Sequence, residues 1–312
     1  MKHDVSDVLD EALLFDTHFH VWDHSLGWHS WLSGPLPDLY CVGADAFSRV
    51  VTIADYQEEA EGLGVLPAVH VEATPDAPHR LSEIRWLEGL NESSGWPSAA
   101  VAAVDLTSDD VEPYLEAISA SPIVRGVRQI TTWDPDPRWS WCDDAYFMRQ
   151  PSFRRGLALI TQYGLSFDAQ VYPHQCAEVL DVSRANEGLR LIINHSGMPR
   201  SWDHAGVEEW RNAMLRLANQ PNVAVKLGGF AMTNHTWQVE RAIDMMRWSI
   251  DAFGPDRVMF GSNFPVEVQH RRMADGVAAF RKALSGLSAE EQTWAMRGSA
   301  ISWYRLEGEM PS

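Results

Sequence analysis

Leu13-Leu14-Phe15-Asp16-Thr17-His18-Phe19-His20 is the stretch that decides the fold. An apolar run leads straight into two histidines placed two residues apart. On a strand, alternate side chains share a face, so His18 and His20 converge while Phe19 faces the other way. Two imidazoles aimed at one point can grip a divalent metal, or polarise a carbonyl without one.

Seven further apolar runs follow, at 66–72, 99–105, 124–130, 165–171, 191–195, 223–227 and 258–261. Most are nearly continuous, as expected of strands buried on both faces of a parallel sheet. Amphipathic patterns at 55–63, 78–91, 110–120, 153–163, 175–185, 207–218 and 238–253 separate them. Eight strands alternating with helices predict an α/β fold, a (β/α)8 TIM barrel. The rival is a doubly wound open sheet, but neither GxGxxG nor GxxxxGK[ST] occurs. With no repeat or linker in view, 1–312 reads as one domain, its barrel spanning about 13–306.

Catalytic groups of such a barrel lie at the C-terminal strand ends. Polar side chains close seven of the eight runs. They are His18 and His20; His70 and Glu72; Arg125 and Arg128; Tyr172 to Gln175 with His174; Asn194 and His195; Lys226; and Ser262 with Asn263. Lys226 is expected to pair with an inward carboxylate such as Asp105, and Asp16 to brace the first strand.

The chain has 312 residues and a net charge of −18, and no Lys/Arg run exceeds two, so nucleic acid and anionic membranes are poor partners. Cys41, Cys142 and Cys176 are widely spaced, with no CxxC pair, which suggests a reducing compartment. The N-terminus lacks the apolar core of a signal peptide, and no apolar run reaches the roughly 18 residues of a membrane span. A cytoplasmic location is expected. A homo-oligomer is left open.

Fourteen tryptophans are unusual, and many fall in two non-periodic segments, 22–47 and 131–147. These read as long loops on the catalytic face. Trp22, Trp28, Trp31, Trp133, Trp139 and Trp141 are expected to rise there, some lining a pocket and others packing the loops together.

DTHFHVWD (16–23), VHVEA (69–73), GVRQI (126–130), YPHQ (172–175), INHSGMP (193–199), VKLGGF (225–230) and MFGSNFPVE (259–267) occur in that order. Together they resemble the amidohydrolase superfamily, above all its branch of sugar-acid lactonases and pyrone dicarboxylate lactonase. The likeness extends from Phe15 to the closing 298–304 segment. It implies a hydrolase that opens a lactone or similar cyclic ester of a ring-bearing organic acid, a small-molecule substrate. It implies catalytic roles for His18, His20, His195, Asn263 and His174. Substrate contacts are expected from Arg128, Glu72, His70, Tyr172, Trp22 and Trp133, with Arg128, and Arg138 as a further candidate, holding a carboxylate or carbonyl. The cofactor is either none or one divalent metal ion, zinc first, held by His18, His20, Glu72 and His195. Asn263 departs from the pattern, because many relatives carry there an aspartate that deprotonates water. A neutral amide cannot accept that proton. His174, His195, Glu72 or Glu267 is then the replacement base. Two other classes stay open: a decarboxylase of an aromatic carboxylic acid, and a degenerate barrel acting as a binding protein.

Overall fold

The computed structural model describes residues 13–34, 36 and 46–306. Tyr40 and Cys41 lie outside the described residues, as does the N-terminal segment read for a signal peptide. Nine short parallel strands supply eight barrel positions. β1 (Leu14–Asp16) pairs with β2 (Val65–Pro67). After a break at Ala68, β3 (Val69–Val71) opens a seven-stranded run with β4 (Ala99–Ala103), β5 (Val124–Arg128), β6 (Ser166–Ala169), β7 (Leu191–Ile193), β8 (Val223–Leu227) and β9 (Val258–Phe260). β2 and β3 are thus one barrel strand in two pieces. The first strand closes the ring on the last: Thr17 N donates to Phe260 O and His20 N to Phe264 O. Phe19 bridges both His70 and Phe264.

Between the strands run α1 (Ile53–Glu59), α2 (Arg80–Ser94), α3 (Val111–Ser119), α4 (Pro151–Gln162), α5 (Cys176–Ala185), α6 (His204–Ala218), α7 (Val239–Phe253) and α8 (Met273–Leu284). Local chemistry sets their starts. A Thr52/Asp55 capping box opens α1, Pro151 opens α4, and the Asp203 side chain caps α6. Apolar stripes such as Leu157 and Ile160 of α4 meet outward strand residues such as Val127 and Phe167. Burying each such side chain contributes about 1.5–3 kcal/mol.

A second, smaller cluster fills the barrel interior. Val69, Val71, Val101, Ile192, Ala224 and Met259 pack against Ile301 and Tyr304. Those last two belong to α10 (Ser299–Tyr304), which follows the short α9 (Ala289–Thr293). Among the described residues, no helix is long and apolar enough to cross a membrane. Cys142 and Cys176 are free thiols.

Candidate active site

A small pocket with a cavity volume of about 30 Å³ opens at the C-terminal strand ends. Its polar side is His20, Glu72, Arg128, Gln170, His195 and Asn263. Its apolar side includes Trp22, Trp31, Ile130, Met232 and Val266.

His20 and His195 line the pocket, and His18 is buried next to them without lining it. The His18 ring centroid lies 5.0 Å from that of His20 and 4.3 Å from that of His195. Nδ1 of His20 is 2.7 Å from Val71 O. A carbonyl only accepts, so Nδ1 carries the proton and Nε2 keeps its lone pair. Burial drives all three histidines well below their ordinary pKa; the positive charge of Arg128 and, for His18 and His195, of Lys226 adds to this. All three are therefore neutral at neutral pH.

Arg128 is held on three sides. Its Nε donates to Glu72 Oε1 at 2.6 Å, one Nη to Glu72 O at 2.8 Å and the other to Gln170 Oε1 at 3.3 Å. Burial raises the Glu72 carboxyl, and Arg128 opposes that rise. Thr74 N also donates to Glu72, which fixes the turn beyond the second barrel strand.

Backbone geometry places the remaining groups. Thr74, His195 and Asn263 all have positive φ without being glycine, a costly conformation that often clusters at functional sites. Gly229 makes room for His195, since a Cβ there would collide with the imidazole. A Cβ on Gly261 would similarly crowd His18. The Asn263 side-chain amide lies 3.0 Å from the Met232 sulfur.

Beneath the pocket, Lys226 bonds Asp168 at 2.6 Å and Thr17 O at 2.6 Å. Asp168 also accepts from Tyr304 Oη and Asn194 Nδ2. The expected Lys226–Asp105 pairing is corrected: Asp105 caps the 105–107 turn through Thr107, while Asp168 is the inward carboxylate. Asp16 braces the first strand, accepting from His18 N, Ser262 N and Tyr56 Oη.

Several predicted residues stand outside the pocket. His70 does not share it with Glu72. The strand stops at Val71, so Glu72 no longer follows the alternation, and His70 faces outward. There it packs edge-on to Phe19, and burial pushes its pKa down to about 4. His174 is exposed, bonded to Trp133 O, and both residues lie off the pocket lining. Tyr172 donates to Trp139 O beneath the Arg200 guanidinium, which is 4.0 Å from the Trp139 ring. Arg200 thus ties Trp139 and Asp134 to the 198–203 loop, and Trp133, Trp139 and Trp141 line no part of the pocket. Trp28 stacks on His79 instead. Arg138 pairs with Asp136 on the surface. Glu267 is bound by Arg271 and Ala231 N.

The sequence reading missed Gln170. It lies in phase with Ser166 and Asp168 on the inward face of the fifth barrel strand, and that parity is the signal that could have found it.

The four-ligand metal site is not assembled. The Glu72 carboxylate is bound to Arg128, and among the described residues no three His, Cys, Asp or Glu side chains are grouped to hold an ion. Both His18 ring nitrogens are buried without a hydrogen-bond partner, yet the set as a whole does not fit.

Comparison with known proteins agrees with this architecture. The family model described as amidohydrolase matches residues 15–306. The chain belongs to the amidohydrolase family. It is 30% identical over 298 residues to the uncharacterized protein y4mH of Sinorhizobium fredii, covering 96% of this chain and all of that one. It is 28% identical to an L-fucono-1,5-lactonase of Burkholderia multivorans, across 95% of this chain and 97% of the relative. A zinc-bound amidohydrolase crystal structure from Burkholderia multivorans superposes with a TM-score of 0.79 at 22% identity, over 95% of this chain and all of that one. The expected amidohydrolase-family hydrolase on a (β/α)8 barrel therefore stands.

Proposed function

We propose that this amidohydrolase opens a lactone ring by water attack, using imidazole and guanidinium groups. One observation carries the reading: His20, its Nδ1 fixed on Val71 O, shares a small pocket with Arg128. Similarity to the L-fucono-1,5-lactonase supports the bond type.

Arg128 receives the ester carbonyl oxygen and stabilises the negative charge that develops there. Nε2 of His20 accepts the proton of the attacking water. That imidazole is a weak base in the free pocket, and the growing oxyanion raises its proton affinity as the bond forms. The proton then passes to the departing ring oxygen, so lactone and water give a hydroxy acid. His195 and Asn263 orient the water; Asn263 supplies hydrogen bonds only. Glu72 and Glu267 are bound to arginines and His174 lies outside the pocket, so none of them serves as the base.

Trp22 and Trp31 set the preference for substrate shape. The Trp22 indole N–H is tied to Arg49 O and that of Trp31 to Ala73 O, so neither is needed by a ligand. Their rings, with Ile130 and Val266, suit a flat or largely apolar ring rather than a polyhydroxylated one. Ring-opened acid, followed by chromatography across aryl, alkyl and sugar lactones, tests this. Better kcat/KM for L-fucono-1,5-lactone than for every aryl or alkyl lactone overturns the shape reading.

A further inference from the structure

The charges lining the pocket balance, and this bears on substrate class. Arg128 and Glu72 are the only lysine, arginine, aspartate or glutamate side chains lining it among the described residues. They are paired at 2.6 Å and both are 4% exposed. Beyond the lining, Lys226 is paired with Asp168, Arg271 with Glu267 and Arg200 with Asp134. The buried carboxylates Asp16 and Glu83 accept hydrogen bonds from His18 N, Ser262 N and Tyr56 Oη, and from Ala73 N, so they add negative charge rather than a cation. Residues 35–45 contain neither Lys nor Arg. Beyond these pairs the protein as a whole carries −18.

A carboxylate on the substrate would meet no unmatched cation here. It would have to compete with Glu72 for Arg128, leaving a buried carboxylate partly unpaired, which is costly. An uncharged ring ester needs only one or two Arg128 hydrogens at its carbonyl, and these can be spared without parting the ion pair. We infer that the site selects uncharged lactones over carboxylate-bearing ones and expels its own product by charge. This rests on the lactonase reading. Hydrolysis converts a neutral ring ester into a hydroxy-carboxylate, so the reaction creates an anion inside a balanced pocket of an acidic protein. The product then experiences the repulsion that the substrate escaped. Of the two roles expected of Arg128 from sequence, holding a carboxylate or a carbonyl, this inference keeps the carbonyl.

The test uses the full chain with two probes that share one ring: dihydrocoumarin, and dihydrocoumarin bearing a ring carboxylate. The wild type is expected to favour the neutral probe by at least about tenfold in kcat/KM, since an unmatched like-charge contact costs several kcal/mol. The product acid, 3-(2-hydroxyphenyl)propionate, should inhibit only far above the KM of its lactone. Glu72→Gln keeps the shape and removes the negative charge, leaving Arg128 unmatched. In that variant, binding of the product acid by calorimetry should tighten at least about tenfold, and this readout needs no turnover. Equal or better hydrolysis of the carboxylate probe by the wild type overturns the inference. So does equal binding of the acid by wild type and Glu72→Gln. If neither probe is hydrolysed, nor any other lactone, the lactonase reading fails, and the calorimetric comparison still decides whether the pocket discriminates by charge.

Discussion

Arg128 Nε lies 2.6 Å from Glu72 Oε1, and the two side chains come from neighbouring regions of the barrel mouth separated by 56 positions in the chain. Both partners are buried, so neither tolerates loss of the other. Arg128→Met should destabilise the fold by about 3–5 kcal/mol, because an uncompensated carboxylate is left behind. Its sign with pH is distinctive. Burial already raises the Glu72 carboxyl, and without Arg128 its folded pKa rises further. The native state of the variant then binds the extra proton, so stability returns as pH falls towards that value. Urea unfolding of the variant at pH 5 and pH 7.5 checks this; identical stability deficits at both would contradict it.

The histidines should leave neutral pH untouched. All three are held well below the ordinary histidine value, burial being the largest cause. The neutral forms therefore persist below pH 6, and kcat/KM should be flat from about pH 6 to 8, with its acid limb displaced below the usual 6.5. His20→Gln should lower kcat by about 10²–10⁴-fold, the range for a lost general base, with little change in KM. Steady-state profiles of both proteins measure this. An inflection near 6.5 in the wild type would mean that the base is a different group.

Asp16 makes a separate linkage prediction. Burial raises its pKa to about 6, while hydrogen bonds from Ser262, His18 and Tyr56 act against that rise. Its folded pKa exceeds the unfolded one, so the native state binds more protons between roughly pH 4 and 6. Stability from this group is greatest at the acid end and is lost as pH rises through about 6. The shift from 3.8 to about 6 amounts to about 3 kcal/mol. The stability of the wild type relative to Asp16→Asn should therefore fall over that interval and level off above it. A difference that stays constant from pH 4 to 7 would show that Asp16 keeps an ordinary pKa.

Much of this was legible in the sequence, and the exceptions share a cause. Continuous apolar runs separated by amphipathic stretches specify the barrel, because strands buried on both faces leave little other pattern. His18, His20, Arg128, His195 and Asn263 were found by strand-end parity and motif. Parity fails where regular pleating stops. At Val71 the strand ends, so His70 and Glu72 part company even though they are two residues apart. Composition also misled. Trp133 was expected to line the pocket, but it does not, and Arg200 and Asp134 bind that loop to its neighbour. Such tertiary pairings, like Lys226 with Asp168, join strands far apart in the chain and leave no local trace. The four-ligand set needed Glu72 free, and only the folded position of Arg128 reveals that its carboxylate is paired.

Lys226→Met tests the floor of the barrel. Asp168 would keep Tyr304 and Asn194 but lose its cation. The expected cost is about 3–5 kcal/mol, read as a lowered urea midpoint with unchanged m-value. A midpoint equal to that of the wild type would show that Tyr304 and Asn194 suffice to hold the buried carboxylate.

The most direct test of the central claim is ring opening itself, followed by pH-stat and NMR, with wild-type protein and a lactone panel that includes dihydrocoumarin and L-fucono-1,5-lactone. The account predicts one proton and one hydroxy acid released per ring opened, with an uncharged aryl or alkyl lactone turned over most efficiently. It also predicts that prior dialysis against a chelator leaves the activity unchanged. No turnover of any lactone, together with carbon dioxide release from an aromatic carboxylic acid, would contradict it.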